Sequence, residues 1–218
     1  MPKPGLALIV VLGILAVLGL AVLGWGGLGP FLAHPARVVL ALVCLLLTSV
    51  ALFSEGNLDS GVREDRADRW VLVAFTVLGI LLSYLPALTD RLEVWTIDGD
   101  MARWLGVALF TAGGALRLWP VFALGRRFSG LVAIQYGHSL ATTGVYRRIR
   151  HPSYLGLLVA SVGWALVFRS TVGLLLSGAL LVPLVARIRD EERQLAAEFG
   201  EAYEDYVRQT WRLIPGVY

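Results

Sequence analysis

Six apolar stretches, each near the length that crosses a bilayer, set the terms for this chain. They run at about Leu6–Leu23, Ala36–Phe53, Trp70–Leu88, Ala102–Leu124, Tyr154–Phe168 and Thr171–Ala186. A helix needs roughly 20 apolar residues to span the hydrocarbon core. Lipid offers no partner to a free backbone N–H or C=O, so spans of this kind are helices and not open sheets. Of the 218 residues 57% are hydrophobic and 16% charged, whereas a soluble domain carries about a quarter charged residues. The expected fold is therefore all-α: a polytopic integral membrane bundle of about six transmembrane helices, followed by C-terminal amphipathic helices, in one domain over 1–218.

The fifth and sixth stretches are separated only by Arg169-Ser170. One continuous helix there would measure about 50 Å and hold Arg169 midway, so a tight hairpin is expected. The first stretch exceeds the 7–15-residue core typical of a cleaved signal peptide and is read as a retained span. With six spans both termini share a side. That side holds Lys3, Arg63, Arg66, Arg69, Arg126, Arg127, Arg147, Arg148, Arg150 and five C-terminal arginines, against Arg37, Arg91, Arg103 and Arg169 opposite. This asymmetry orients the polar loop and both termini to the cytoplasm. Lys3 is the single lysine, and Ala, Leu, Gly and Arg are abundant. That bias suggests a bacterial source and hence an inner-membrane location. The net charge of +3 comes from residues flanking apolar stretches, not from a basic patch interleaved with aromatics, so nucleic acid is not an expected partner.

Chemistry-bearing residues concentrate after the fourth stretch. Residues 1–100 read as N-terminal transmembrane helices, and 101–218 as a catalytic region with a polar loop at 125–156. Between Gly137 and Gly156 lie two of the chain's three histidines, His138 and His151, with Tyr146, Tyr154, Arg147, Arg148 and Arg150. Loops held by a rigid scaffold commonly carry function. His151-Pro-Ser-Tyr154 also reads as a plain helix start, because proline is pre-organised for the first turn. Arg187 and Glu191, four apart, share a helix face and would pair even without a functional role. Arg117 lies inside the fourth stretch, near enough to its end to snorkel. Pro120 and Pro183 favour kinks. Beyond Ala186 an amphipathic helix is expected to run to Gly200 on Ile188, Leu195 and Phe199. A shorter one, Glu201–Gln209, carries Tyr203 and Tyr206. Both are expected to lie along the membrane face. No phosphate loop, His-Glu-x-x-His pattern or Ser-His-Asp arrangement is found. Two loop histidines without a third ligand do not make a metal site, and the lone Cys44 permits no intrachain disulfide.

Read together, four segments resemble the isoprenylcysteine carboxyl methyltransferases and the wider group that includes phospholipid N-methyltransferases. They are Gln135-x-x-His138-x-Leu140-x-Thr142-x-Gly144-x-Tyr146, Arg150-His-Pro-Ser-Tyr154-x-Gly156, Arg187-x-x-x-Glu191-Glu192-x-x-Leu195 and Phe199-Gly-x-x-Tyr203-x-x-Tyr206. The resemblance covers about Leu116 to Tyr218. It implies an S-adenosylmethionine-dependent membrane methyltransferase acting on a lipophilic acceptor. Cofactor contacts would fall on Gln135, His138, Ser139, Leu140, Ala141, Tyr146, His151, Pro152, Ser153, Tyr154 and Glu191. Arg187 would bind the acceptor, and Arg187 with Glu191 would form the catalytic pair. Ala141 stands where the family commonly has valine. The acceptor implied first is the carboxylate of an isoprenylcysteine-like molecule. A lipid amine or a thiol is the alternative within the group, and either would need Glu191 or a histidine as base. Two other classes compete. A sterol-type reductase using a nicotinamide cofactor carries a related His-Pro-x-Tyr-x-Gly segment. A transporter or scaffold would show paired inverted halves. Expected partners are the lipophilic substrate and membrane lipids, with no obligate protein partner.

Overall fold

The structure is a computed structural model that describes residues 4–52, 69–124, 140 and 142–218. Nine α-helices occur among the described residues: α1 Pro4–Trp25, α2 Leu28–Leu32, α3 Pro35–Leu52, α4 Arg69–Arg91, α5 Asp100–Leu124, α6 Pro152–Val167, α7 Thr171–Ala179, α8 Leu181–Phe199 and α9 Glu201–Gln209. The all-α membrane architecture is as expected. Four helical runs are long and apolar enough to cross a membrane: Ala7–Trp25, Pro35–Leu52, Arg69–Arg91 and Thr171–Phe199. The apolar α6 is shorter, at 16 residues.

The sixth apolar stretch runs on into the amphipathic segment: Leu180, between α7 and α8, keeps helical angles (φ −59°, ψ −23°), and Thr171–Phe199 forms one helical run. Pro183 supplies no N–H to the Ala179 carbonyl one turn earlier, so one bond of that run is missing. The hairpin at Arg169-Ser170 forms, with Arg169 at φ +46°. The Ser170 hydroxyl caps α7 by accepting from Gly173 N, as a serine N-cap should.

Two devices position the ends of the bundle. At one end Asp90, with a fully buried side chain, takes both terminal nitrogens of Arg103 at 2.6 and 3.0 Å and Nε of Arg169 at 3.0 Å. Arg103 also donates to the Val167 carbonyl at 2.7 Å. This ties the end of α4 to the start of α5 and to the α6–α7 hairpin. Arg37 caps the carbonyls of Pro30 and Phe31 and lies 3.8 Å over the Trp25 ring. Three of the four arginines assigned to the opposite side thus have fixed partners.

The second device is a glycine seam. Gly106 and Gly113 on α5 are seven residues apart, as are Gly156 and Gly163 on α6, and the helices run antiparallel. A Cβ on Gly106 would lie 2.5 Å from Val167 N, and one on Gly156 would lie 2.5 Å from Arg117 N. Gly113 and Gly163 face Ala160 and Phe110 in the same way. Backbone meets backbone, which is how membrane helices gain dispersion contact without a hydrophobic driving force. The main chain of Arg117 borders the seam at Gly156, and the residue is exposed.

Gly113→Val or Gly156→Val should force these helices apart and lower stability by about 1–3 kcal/mol or more. Gly13→Val in α1, where an added side chain meets open space, should stay within about 0.5 kcal/mol. Reversible unfolding in detergent compares the three.

Candidate active site

The site forms where the polar loop enters α6 and meets α8. Gly144–Arg147 makes one 3-10 turn, with Gly144 at φ +63°. His151 occupies the N-cap of α6 and Pro152 its first turn. His151 is 7% exposed, and its ring stacks on Tyr154 at 5.7 Å. From α8, two adjacent glutamates reach this loop. Neighbouring positions on a helix point about 100° apart, so the two carboxylates meet different partners.

Glu191 faces the α6 side. Its Oε1 accepts from the Tyr154 hydroxyl and lies 3.4 Å from Nε of Arg187. Its Oε2 lies 3.4 Å from Nδ1 of His151. Glu192 faces the other way. Its Oε1 accepts from Arg150 Nε at 2.9 Å, and its Oε2 from Arg212 Nε at 2.7 Å. Oε1 also lies 3.4 Å from His151 Nε2, which makes no hydrogen bond there. The imidazole is therefore held between two carboxylates. Burial alone would lower its pKa, but the contacts with Glu191 and Glu192 outweigh that and raise it above 6.5.

The C-terminal tail completes the site. It pairs with the loop through main-chain bonds. Arg150 N donates to Trp211 O at 2.8 Å, His151 N to Arg212 O at 3.0 Å, and Trp211 N to Arg148 O at 3.0 Å. Arg150 Nη1 also donates to the carbonyls of Val207 and Thr210. Leu213, 3% exposed, packs on Leu184 and Ile188 of α8. The Tyr206 hydroxyl donates to the Tyr146 carbonyl at 2.7 Å. Burial pushes that phenol up to about 12, so it remains a donor at physiological pH.

Of the residues expected in the site, Tyr146, His151, Pro152, Ser153, Tyr154, Arg187 and Glu191 share this end of the bundle. Tyr146 is half-buried, and burial, then Tyr206 and Glu191, push its phenol pKa up. Pro152 is buried. Ser153 Oγ donates to the Arg117 carbonyl at 3.3 Å, locking the start of α6 to the end of α5. Leu140 is half-buried in irregular chain. Gln135, His138, Ser139 and Ala141 lie outside the described residues. Among the described residues no cluster of metal-binding side chains occurs.

This arrangement can be set beside known proteins. The model of the isoprenylcysteine carboxyl methyltransferase family matches residues 105–197. The protein-S-isoprenylcysteine O-methyltransferase A of Arabidopsis thaliana is 33% identical over 147 residues, covering 64% of this chain and 73% of that protein. The chain belongs to the isoprenylcysteine carboxyl methyltransferase family. A second relative, the protein-S-isoprenylcysteine O-methyltransferase of Dictyostelium discoideum, is 29% identical over 68% of this chain and 60% of its own length. The chain thus spans less than two thirds of that relative. A methanethiol S-methyltransferase of Bradyrhizobium diazoefficiens is 30% identical over 60% of this chain and 49% of its own length. The solved structure of the eukaryotic intramembrane Ras methyltransferase of this family aligns at a TM-score of 0.57 with 22% identity. It covers 94% of this chain and 74% of that one, and so supports the fold.

Sequence reasoning on this family member missed Glu192, Arg150 and Arg212 as a unit. The Glu191-Glu192 doublet was the available signal. A doublet on a helix facing a basic loop gives each acid its own partners. Arg212 had no comparable signal, since its role depends on the tail folding back.

His151 should titrate above 6.5 in an NMR pH series of histidine-labelled protein, and Glu192→Gln should move it downward. A raised folded pKa favours the protonated folded state. The stabilising contribution of His151 is therefore complete below about 6.5 and lost as pH rises through the folded pKa. His151→Gln should remove that loss of stability toward alkaline pH.

Proposed function

We propose that this protein transfers a methyl group from S-adenosylmethionine to the carboxylate of a lipophilic, isoprenylcysteine-like acceptor at the cytoplasmic face of a bacterial inner membrane. The observation that supports this best is the convergence of Tyr154, His151 and Arg187 on the single carboxylate of Glu191. The fourteen-to-four bias of basic residues supports the orientation.

The donor set suits the cofactor. One carboxylate, two tyrosines and an imidazole answer to a ligand with an amino-acid end, a ribose and a flat purine. On this reading Tyr146, His151, Pro152, Ser153, Tyr154 and Glu191 hold the cofactor, together with Gln135, His138, Ser139, Leu140 and Ala141. Arg187 orients the acceptor. When bound, S-adenosylmethionine would supply an electrophilic methyl group, so the protein contributes mainly alignment and a dry site.

The state of Glu191 bears on the acceptor. Its Oε1 already accepts from the Tyr154 hydroxyl and lies 3.4 Å from Arg187 Nε, and its Oε2 lies 3.4 Å from His151 Nδ1, so neither oxygen is left free to take a substrate proton. Both ring nitrogens of His151 face carboxylates, Nδ1 toward Glu191 and Nε2 toward Glu192, so neither is turned toward an acceptor. A carboxylate acceptor with a pKa near 4 needs no base, whereas a thiol near 8.5 or an amine near 10 does. The geometry therefore favours O-methylation. S-methylation of a thiol is the second reading, prompted by the similarity to the Bradyrhizobium enzyme. It needs a proton acceptor other than these two groups.

Arg187→Ala should leave S-adenosylmethionine affinity, read by calorimetry, nearly unchanged. It should reduce methylation of an isoprenylcysteine with a free carboxylate by roughly tenfold or more. Arg187→Lys should also be impaired, because an ammonium cannot form the planar two-pronged contact. Glu191→Gln should weaken cofactor binding itself by roughly ten- to a hundredfold. A plain ion pair on a helix surface is worth about 0.3–0.5 kcal/mol and would give small effects throughout. That outcome would remove both residues from the assigned roles.

A further inference from the structure

Beside Glu192, residues of α8, α9 and the tail line an open groove of about 710 Å³. Its walls carry four guanidinium groups: Arg189 and Arg193 from α8, Arg208 from α9 and Arg212 from the tail. Their engagements leave most donors free. Arg193 meets Asp190 through one terminal nitrogen, and Arg208 meets Asp205 through one at 2.6 Å. Arg212 gives Nε to Glu192. Arg189 has no ion pair among the described residues. Each guanidinium presents five N–H donors.

The groove also has a buried donor. Tyr203 lines it, is 3% exposed, and its hydroxyl has no hydrogen-bond partner among the described residues. Burial raises its pKa, so the hydroxyl stays protonated and can donate. Buried polar groups are normally paired, and one that is not points to a missing partner. Three of the four guanidinium groups each meet one acid, so what the groove offers is spare N–H donors and the charge of Arg189. Glu192 is already held by Arg150 and Arg212, and Glu204 is exposed.

From this geometry we propose that the groove binds an anionic phosphate group, with the Tyr203 hydroxyl as its buried donor and Arg189, Arg208 and Arg212 as its forks. The exposed Trp211, Ile214 and Val217 of the adjoining tail suit the bilayer interface, where such a phosphate is carried by an anionic phospholipid headgroup or arrives free from water. Arg212 serves both the groove and Glu192, so occupancy draws on the guanidinium that steadies the His151 loop. The groove is thereby coupled to the active site without being part of it.

The test uses the full chain in neutral detergent without methyl donor, so its result is independent of the proposed reaction. Inorganic phosphate is titrated against chloride at constant ionic strength, and short-chain phosphatidic acid against phosphatidylcholine. Thermal unfolding and tryptophan fluorescence are the readouts. A saturable effect of phosphate or phosphatidic acid, with about tenfold weaker affinity in Tyr203→Phe and in Arg189→Gln/Arg208→Gln, is expected. Tyr203→Phe keeps the ring and its packing, so it should fold. Tighter binding of phosphatidic acid than of phosphate identifies the headgroup as the source, and equal binding identifies free phosphate. No saturable effect of either, or the same affinity in both variants, overturns the proposal.

Discussion

Antiparallel α5 and α6 touch along their backbones, and the placement of the candidate site follows from that contact. Gly106, Gly113, Gly156 and Gly163 allow it, because any larger residue would drive its Cβ into the facing main chain. Without the seam, α6 could rotate or slide in lipid with little penalty, since lipid and leucine are equally apolar. With it, the N-terminus of α6 is fixed beside Arg117, and the Ser153 hydroxyl finds the Arg117 carbonyl. His151 and Tyr154 are therefore presented to α8 at one height and one angle. The Asp90 cluster clamps the opposite ends of these same helices. The seam fixes the sideways distance and the cluster fixes the axial register.

The Glu191-Glu192 doublet then divides the work. Glu191 gathers the groups proposed to touch cofactor and acceptor. Glu192 gathers the groups that hold the loop in place, Arg150 beside His151 and Arg212 from the tail. The family match ends at residue 197, before α9 and the tail, yet main-chain bonds from residues 211 and 212 fix the start of α6. The candidate site is consequently a joint between a membrane helix pair and a segment folded back from beyond it.

Much of this was legible in the sequence. Apolar runs of bilayer length gave the helical membrane class, and the short fifth and sixth runs gave the hairpin at Arg169-Ser170. His151-Pro-Ser-Tyr154 gave both a helix start and a site, and the two descriptions hold together. Arg187 and Glu191 were legible as an i, i+4 pair. The glycine seam was present as a seven-residue spacing, but a glycine in a membrane helix has several uses and only the facing helix selects one. The return of the tail to the loop was not legible, because it rests on main-chain pairing at Ile149 and Trp211, and main-chain bonds carry no side-chain signature. The small α2 helix was likewise hidden in a Gly-rich turn.

The two polar ends of the bundle differ in one respect that bears on function. At the Asp90 end the buried charges have partners: Asp90 is met by Arg103 and Arg169, and Arg37 by two carbonyls. Such closure is what structure alone requires, because an unpaired buried polar group is destabilising. At the candidate-site end three buried atoms have none among the described residues, His151 Nε2, Tyr203 Oη and Tyr218 Oη. All three lie around α8, α9 and the tail. Under the proposed function, these are the positions where polar ligands would meet the protein. Glu192 meets His151 and also lines the arginine-walled groove. An anion that attracts Arg212 loosens one of the two arginines on Glu192 and strengthens the pull of that carboxylate on His151. The chain thereby has a short physical route from the membrane interface to the loop that carries its proposed chemistry.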